Sequence, residues 1–233
     1  NTTRSPLYPV RADAIKTNED RIKDILVKKY NIHELHSYVW AYNDELKALG
    51  IGVEENVKLL NATNPNIETL RNSIVPTLLC QLKTNSGYAA DFGIFEIGRV
   101  VKGLKADGMC NEKKMLALTL FSKTKDMKTL YLELRDMLAV VTSDIKHRTL
   151  SYKAMDTAKD YEHPVNLNAI MIGDEEIGRI GIVHPSVGKK LDKKANVVFA
   201  EIDMNEFTDA TVDDIVYDEP SKFPTMDIDL SFV

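Results

Sequence analysis

At 233 residues, with 44% hydrophobic and 28% charged side chains, the chain can bury one good core or two small ones, which argues against disorder as its main state. A net charge of -5 gives no basic footprint of the kind phosphate-backbone binding needs, so nucleic-acid contact is disfavoured except through a local patch. No apolar run reaches the roughly 20 residues that cross a bilayer, and the N-terminus lacks a signal-peptide core. The two cysteines, Cys80 and Cys110, lack metal-ligand spacing, so a cytoplasmic protein with reduced thiols and no membrane contact is expected.

Asn1 to Pro9 holds two prolines and no periodicity, which predicts an extended entry. From about Ala14 to Tyr30, the residues Ile15, Ile22, Ile25, Leu26 and Tyr30 share one helical face. An amphipathic helix is expected there, laid on a partner or on the chain's own core. His33 to Trp40 reads as a strand, followed by a short helix from Asn43 that Gly50 terminates. Val57 to Leu60 is a second short strand, and the turn-rich stretch Asn61 to Asn66 delivers the chain to Leu70.

The segment Leu70 to Val101 organises the rest. Ser73 is placed to cap a helix whose apolar residues Ile74, Leu78, Leu79 and Leu82 recur at helical spacing, with Pro76 in its first turn and Gly87 ending it. Cys80 falls within that pattern, so a buried thiol is expected. Phe92 to Val101 is rich in β-branched and aromatic residues, as a strand requires. It carries Glu96 and Arg99 inside an apolar run. Their odd spacing keeps them from facing each other, so each needs a partner on another element, and a register-fixing ion pair is expected.

Gly103 and Gly108 bracket a loop, after which Met115 to Phe121 is a strand antiparallel to the previous one. Asp126 caps the clearest helix, because Met127, Leu130, Tyr131, Leu134, Met137, Leu138 and Val141 keep the 3.6-residue period; that stripe reads as core, not as a cofactor pocket. Strands follow at Thr149 to Ala154, Val165 to Ile172 and Ile177 to Val183, the last two joined as a hairpin through Gly173-Asp174-Glu175-Glu176. Pro185 opens a short helix to Leu191, and Asn196 to Ile202 is one more strand. Strands joined by short connections, with helices arriving singly, predict an α+β fold whose mostly antiparallel sheet is flanked by helices.

Four blocks in order carry a family resemblance: Leu70-Arg71-x-Ser73-x-x-Pro76, then Phe95-Glu96-x-Gly98-Arg99-Val100, then Gly181 to Val187 leading to Ala200-Glu201-Ile202-Asp203, and finally Ser221-Lys222-Phe223-Pro224 leading to Asp229-Leu230. Together they resemble the β subunit of phenylalanyl-tRNA synthetase. The resemblance implies a class II aminoacyl-tRNA synthetase-like core over residues 1–220. Residues 221–233 would be the truncated start of a C-terminal ferredoxin-like anticodon-binding domain, although Ile228 stands where many relatives carry arginine. It further implies a cytoplasmic ligase of two α and two β chains, with ATP and magnesium used by the whole enzyme, phenylalanine activated in the α subunit, and tRNA met mainly by other parts of the complex. Editing belongs to a preceding part of the β subunit, and the Ala14 to Tyr30 helix matches one used at the subunit interface. A start at Asn1 and a stop at Val233 within a strand-like run suggest a piece of a longer protein.

Class II chemistry meets phosphate charge with positioned arginines and magnesium. The resemblance implies one arginine from the middle of the sheet, which Arg71 or Arg99 would mimic, and another from a glycine-rich segment near the domain's end. Nothing supplies the second: no arginine follows Arg179, and Asp203 leads into Met204-Asn205-Glu206-Phe207 without a glycine turn. No catalytic, cofactor-binding or metal-binding residue is therefore expected in this chain. The leading expectation is a non-catalytic scaffold for the α subunit, with apolar surface exposed on the Ala14 to Tyr30 helix and near Leu70 to Leu82. The rival is a free-standing ATP-using ligase paralogue with a site built from Arg71, Glu96 and Arg99. His33 and His36 point to opposite faces of their strand, which disfavours shared metal ligation. His163 and His184 precede prolines and read as capping or packing residues. Asp213, Asp214, Asp227 and Asp229 read as a solvated acidic surface, and Ser73 has no His and Asp arrangement behind it.

Overall fold

Two cores on opposite faces of one sheet organise residues 11–214, the part of the chain that the computed structural model describes. The strands are β1 (His33–Glu34), β2 (Trp40–Ala41), β3 (Val57–Lys58), β4 (Thr69–Leu70), β5 (Asp91–Leu104), β6 (Cys110–Ser122), β7 (Leu150–Ala154), β8 (Glu162–Ile172), β9 (Glu175–Val183) and β10 (Asn196–Asp203). The helices are α1 (Ala14–Asp24), α2 (Asn43–Leu49), α3 (Val75–Asn85), α4 (Met127–Lys146), α5 (Pro185–Leu191) and α6 (Met204–Asp209). The main sheet runs β1-β5-β6-β10-β9-β8-β7, and a small one runs β2-β4-β3. All pairings are antiparallel except that of β1 with β5, so the fold is α+β as the sequence predicts.

Alternation along the strands builds the two cores. Phe95, Leu118, Val198 and Ala200 face α1, α4 and α6, whereas Ile94, Ala117 and Phe199 face α2, α3 and α5. At α4 and α2 local signals set helix ends as expected, whereas α3 stops at Asn85, before Gly87. Asp126 accepts the Thr129 N–H at 2.8 Å to start α4, and Gly50, at φ +79°, closes α2 in a left-handed conformation that suits a residue without a Cβ.

The amphipathic helix resolves onto the chain's own core. Ile22 and Leu26 are fully buried in it, while Val27 is 45% exposed. Past Asp24 the helix widens into a π-turn over Ile25–Lys29, and Ile32 N–H reaches back to the Leu26 carbonyl at 3.0 Å.

Several expectations change. The single strand from His33 to Trp40 is two short strands, because only His33 and Glu34 pair with β5 and only Trp40 and Ala41 with β4. Apolar surface does not remain open near Leu70 to Leu82: α3 is pressed between the sheet, α2 and α5, and Leu78, Leu79 and Leu82 are fully buried. The exposed large apolar residues lie elsewhere, among them Tyr38, Leu60 and Tyr88. Helix α6, capped by Asp203, lies outside the elements that the sequence pattern predicts. Residues 1–10 and 215–233 lie outside the described part, and with them the extended entry, the assignment of 221–233, Asp227 and Asp229. Among the described residues no helix is long and apolar enough to cross a membrane.

Candidate functional site

One row of residues, Glu96, Ala117, Glu201, Arg179 and Ala169, crosses five adjacent strands in register on the face that α3 covers. Charges on an apolar face are costly unless each is paired and hydrogen-bonded. The chain between β4 and α3 supplies most of the partners.

Arg71 anchors the first end. Its Nε donates to the Arg99 carbonyl at 3.0 Å, one terminal nitrogen to Ser37 Oγ at 2.6 Å, and the other to Glu96 Oε1 at 2.7 Å. Ser37 Oγ in turn donates to Glu96 Oε2 at 2.6 Å. The two ion-pair side chains are 4% and 2% exposed. Gly98 leaves room for them, since a Cβ there would sit 2.6 Å from an Arg71 nitrogen and 2.8 Å from Glu96 Oε1.

Two strands away, about 10 Å across the sheet, Glu201 holds the start of α3. Its Oε1 accepts the Ser73 hydroxyl at 2.7 Å and the Ile74 N–H at 2.8 Å. Its Oε2 lies 4.0 Å from Lys102 Nζ, which donates to the Asn72 carbonyl at 2.7 Å. Ser73 is thus not the helix cap that its sequence position predicts. Ile74 occupies the cap position, and the orphan N–H there is met by a carboxylate from β10; Ser73 Oγ reaches Val75 N–H only at 3.3 Å.

The remaining groups close the network. Tyr161 OH lies 3.1 Å from Ser73 Oγ, and burial, reinforced by the Glu201 charge, pushes its phenol well above the usual range. Burial pulls the Lys102 ammonium below its ordinary value, against the attraction of Glu201. Arg179 donates to both oxygens of Glu162 at 3.1 Å; burial opposes its charge, but Glu162 holds the guanidinium above its ordinary value.

A phosphate clamp needs guanidinium N–H groups facing an open space. Arg71 has all three nitrogens engaged within the chain. Arg99, read from sequence as sitting inside an apolar run, instead points outward with its side chain 75% exposed and meets Glu112 at 3.3 Å. Arg71 and Glu96 come together, and Arg99 contributes only its carbonyl. His184 and His163 take the capping roles expected of them: His184 Nδ1 accepts Ser186 N–H, and His163 Nδ1 accepts Val165 and Asn166 N–H. His33 packs edge-on against Tyr88, whereas His36 faces Glu34. Asp213 pairs with Arg148. Among the described residues no group of three or more His, Cys, Asp or Glu is placed to hold a metal ion.

Sequence reasoning missed Ser37, Tyr161 and Glu162, and it named Glu201 without a partner. Glu201 did carry a signal, an acid alternating into an otherwise apolar strand, as Glu96 does.

The family model described as the phenylalanyl tRNA synthetase beta chain CLM domain matches residues 2–204. Among curated relatives, the phenylalanine–tRNA ligase beta subunit of Leptospira borgpetersenii is 27% identical over 209 residues, covering 86% of this chain and 26% of the relative. That of Syntrophus aciditrophicus is 27% identical over 240 residues, covering 97% of this chain and 30% of the relative. The chain therefore spans less than a third of the length of these relatives. Two structures of pyrrolysyl-tRNA synthetase from Desulfitobacterium hafniense share the fold, with TM-scores of 0.64 and 0.66 at 18% and 16% identity. They cover 83% and 88% of this chain, and 68% and 74% of theirs, so the core is class II synthetase-like.

Proposed function

The chain belongs to the phenylalanyl-tRNA synthetase beta chain family, through its CLM domain, and we propose that it acts as a non-catalytic synthetase-like module that scaffolds the catalytic α subunit while phenylalanine is attached to its tRNA at the expense of ATP. The observation that carries the reading is the engagement of Arg71. Three of its five N–H donors are spent on Arg99, Ser37 and Glu96, and with its side chain only 4% exposed the guanidinium faces no open space in which a nucleotide phosphate could meet it. On this reading no residue of the chain is catalytic or binds a cofactor or metal. ATP and magnesium are handled by the α subunit within a cytoplasmic assembly of two α and two β chains. tRNA is met mainly by other parts, and residues 221–233 begin the anticodon-binding domain.

The test is thermal unfolding of this chain with and without magnesium-ATP and phenylalanine. Saturation at a hundred times the dissociation constant of a competent site stabilises a fold by about 2.7 kcal/mol. The expected result is an unchanged midpoint with either ligand. A clear shift would favour the alternative, an ATP-using ligase paralogue with its own site, and would make Arg71, Glu96 and Arg99 the first residues to replace.

A further inference from the structure

A cavity of about 340 Å³ opens far along the sheet from the Arg71–Glu96 pair, where β8, β9 and β10 meet α5 and the start of α4. Met127, Ile182 and Val197 give it an apolar floor, and Lys189, Lys193 and His163 lie on its wall. The stretch Lys189-Lys190-Leu191-Asp192-Lys193-Lys194 holds four lysines and one acid. Asp192 is neutralised by Lys123 at 3.0 Å, and Lys190 is spent on the Leu49 carbonyl at 3.1 Å. Lys189, Lys193 and Lys194 are exposed and have no carboxylate partner among the described residues. His163 adds a donor, because Nδ1 accepts two backbone N–H groups and the proton of the neutral ring therefore sits on Nε2.

In a chain of net charge -5, unpaired cations are thus gathered beside one apolar cleft. We propose that this cleft docks an acidic segment of a partner polypeptide, which lays an apolar side chain on the floor and sets carboxylates against Lys189 and Lys193. Charge complementarity selects an acidic partner. The walls decide against single-stranded RNA, whose bases need aromatic faces to stack on: no Phe, Tyr or Trp lines the cleft. Its volume takes one or two side chains, so it is an anchor point within a larger contact and does not depend on the catalytic inertness argued above.

The test uses the full-length chain in its native assembly. A zero-length carbodiimide is applied, which joins amines to carboxylates already in contact, and the linked peptides are read by mass spectrometry. The expected result is Lys189 or Lys193 amide-linked to an Asp or Glu of another chain. Acetylation of these two amines should also be about tenfold slower in the assembly than in the separated chain. K189E/K193E should weaken the assembly at least tenfold while leaving the melting temperature of the separated chain unchanged, and K189R/K193R, which keeps the charge, should leave the assembly intact; full assembly of K189E/K193E would overturn the proposal. Links confined to this chain, acetylation equally fast in both states, or protection that ribonuclease removes would each overturn the proposal, the last by assigning the cleft to RNA.

Discussion

Arg71 and Glu96 are bound 2.7 Å apart beneath the start of α3, 25 residues apart in sequence and nearly sealed from solvent. Burying either ion alone costs several kcal/mol, and the pair is supported by further hydrogen bonds: Ser37 and the Arg99 carbonyl each take an Arg71 donor, and Ser37 also donates to the second Glu96 oxygen. The pair holds the segment that leads into α3 against a fixed register of β5.

Breaking this pair should be severe where removing a surface arginine is not. Glu96→Ala strands a buried guanidinium and should cost about 3–5 kcal/mol. Arg99→Ala should stay within about 0.5 kcal/mol. Urea unfolding of Arg71→Met, Glu96→Leu and the double variant should show the double losing less than the sum of the singles. Additive losses would refute the coupling.

Two glycines in strands are required by close approach. A Cβ at Gly178 would lie 2.2 Å from the Glu201 backbone oxygen, which cannot yield, whereas at Gly98 it meets the movable end of Arg71. Gly98→Ala should cost about 1–3 kcal/mol, and Gly178→Ala more. Thermal melts should also show Gly98→Ala becoming milder in an Arg71→Ala background, since the clashing group is then gone.

Glu19 should make part of the stability acid-labile. Burial pushes its carboxyl up, but Lys114 at 2.5 Å and Lys23 at 3.0 Å outweigh this and hold it below its ordinary 4.5. A lowered folded value means that the unfolded chain binds the proton more readily. The contribution is therefore complete above 4.5 and is lost as pH falls through the folded value. The stability gap between wild type and Glu19→Gln should be flat near neutrality and shrink on acidification below 4.5; a gap constant down to the acid transition would contradict this origin.

The two thiols should separate by reactivity. Burial, helped by Glu45, pushes the Cys80 thiol up to about 12, whereas Cys110 is only partly covered. A disulfide reagent at pH 8 should modify Cys110 alone in the native chain and both thiols in denaturant, because the thiolate is the reacting form. The raised folded value also means that the stabilising effect of Cys80 is present below 9.0 and lost as pH climbs from 9.0 towards 12.

The sequence by itself determined most of the elements, the α+β class and the family. These rest on signals within a few residues: the stripe of α4 with Asp126 ahead of it, Gly50 behind α2, the alternation of β6 and β10, and blocks such as Phe95-Glu96-x-Gly98-Arg99-Val100. Only the tertiary structure decided that Arg99 faces solvent while Arg71 takes Glu96, that Ser73 answers to Glu201 from 128 residues away, and that α3 is covered on all its apolar sides. The physical reason is range. Helical and strand periods and caps are set by steric and hydrogen-bonding preferences of neighbouring residues, whereas the partner of a buried charge is chosen by which strands the folded sheet lays side by side.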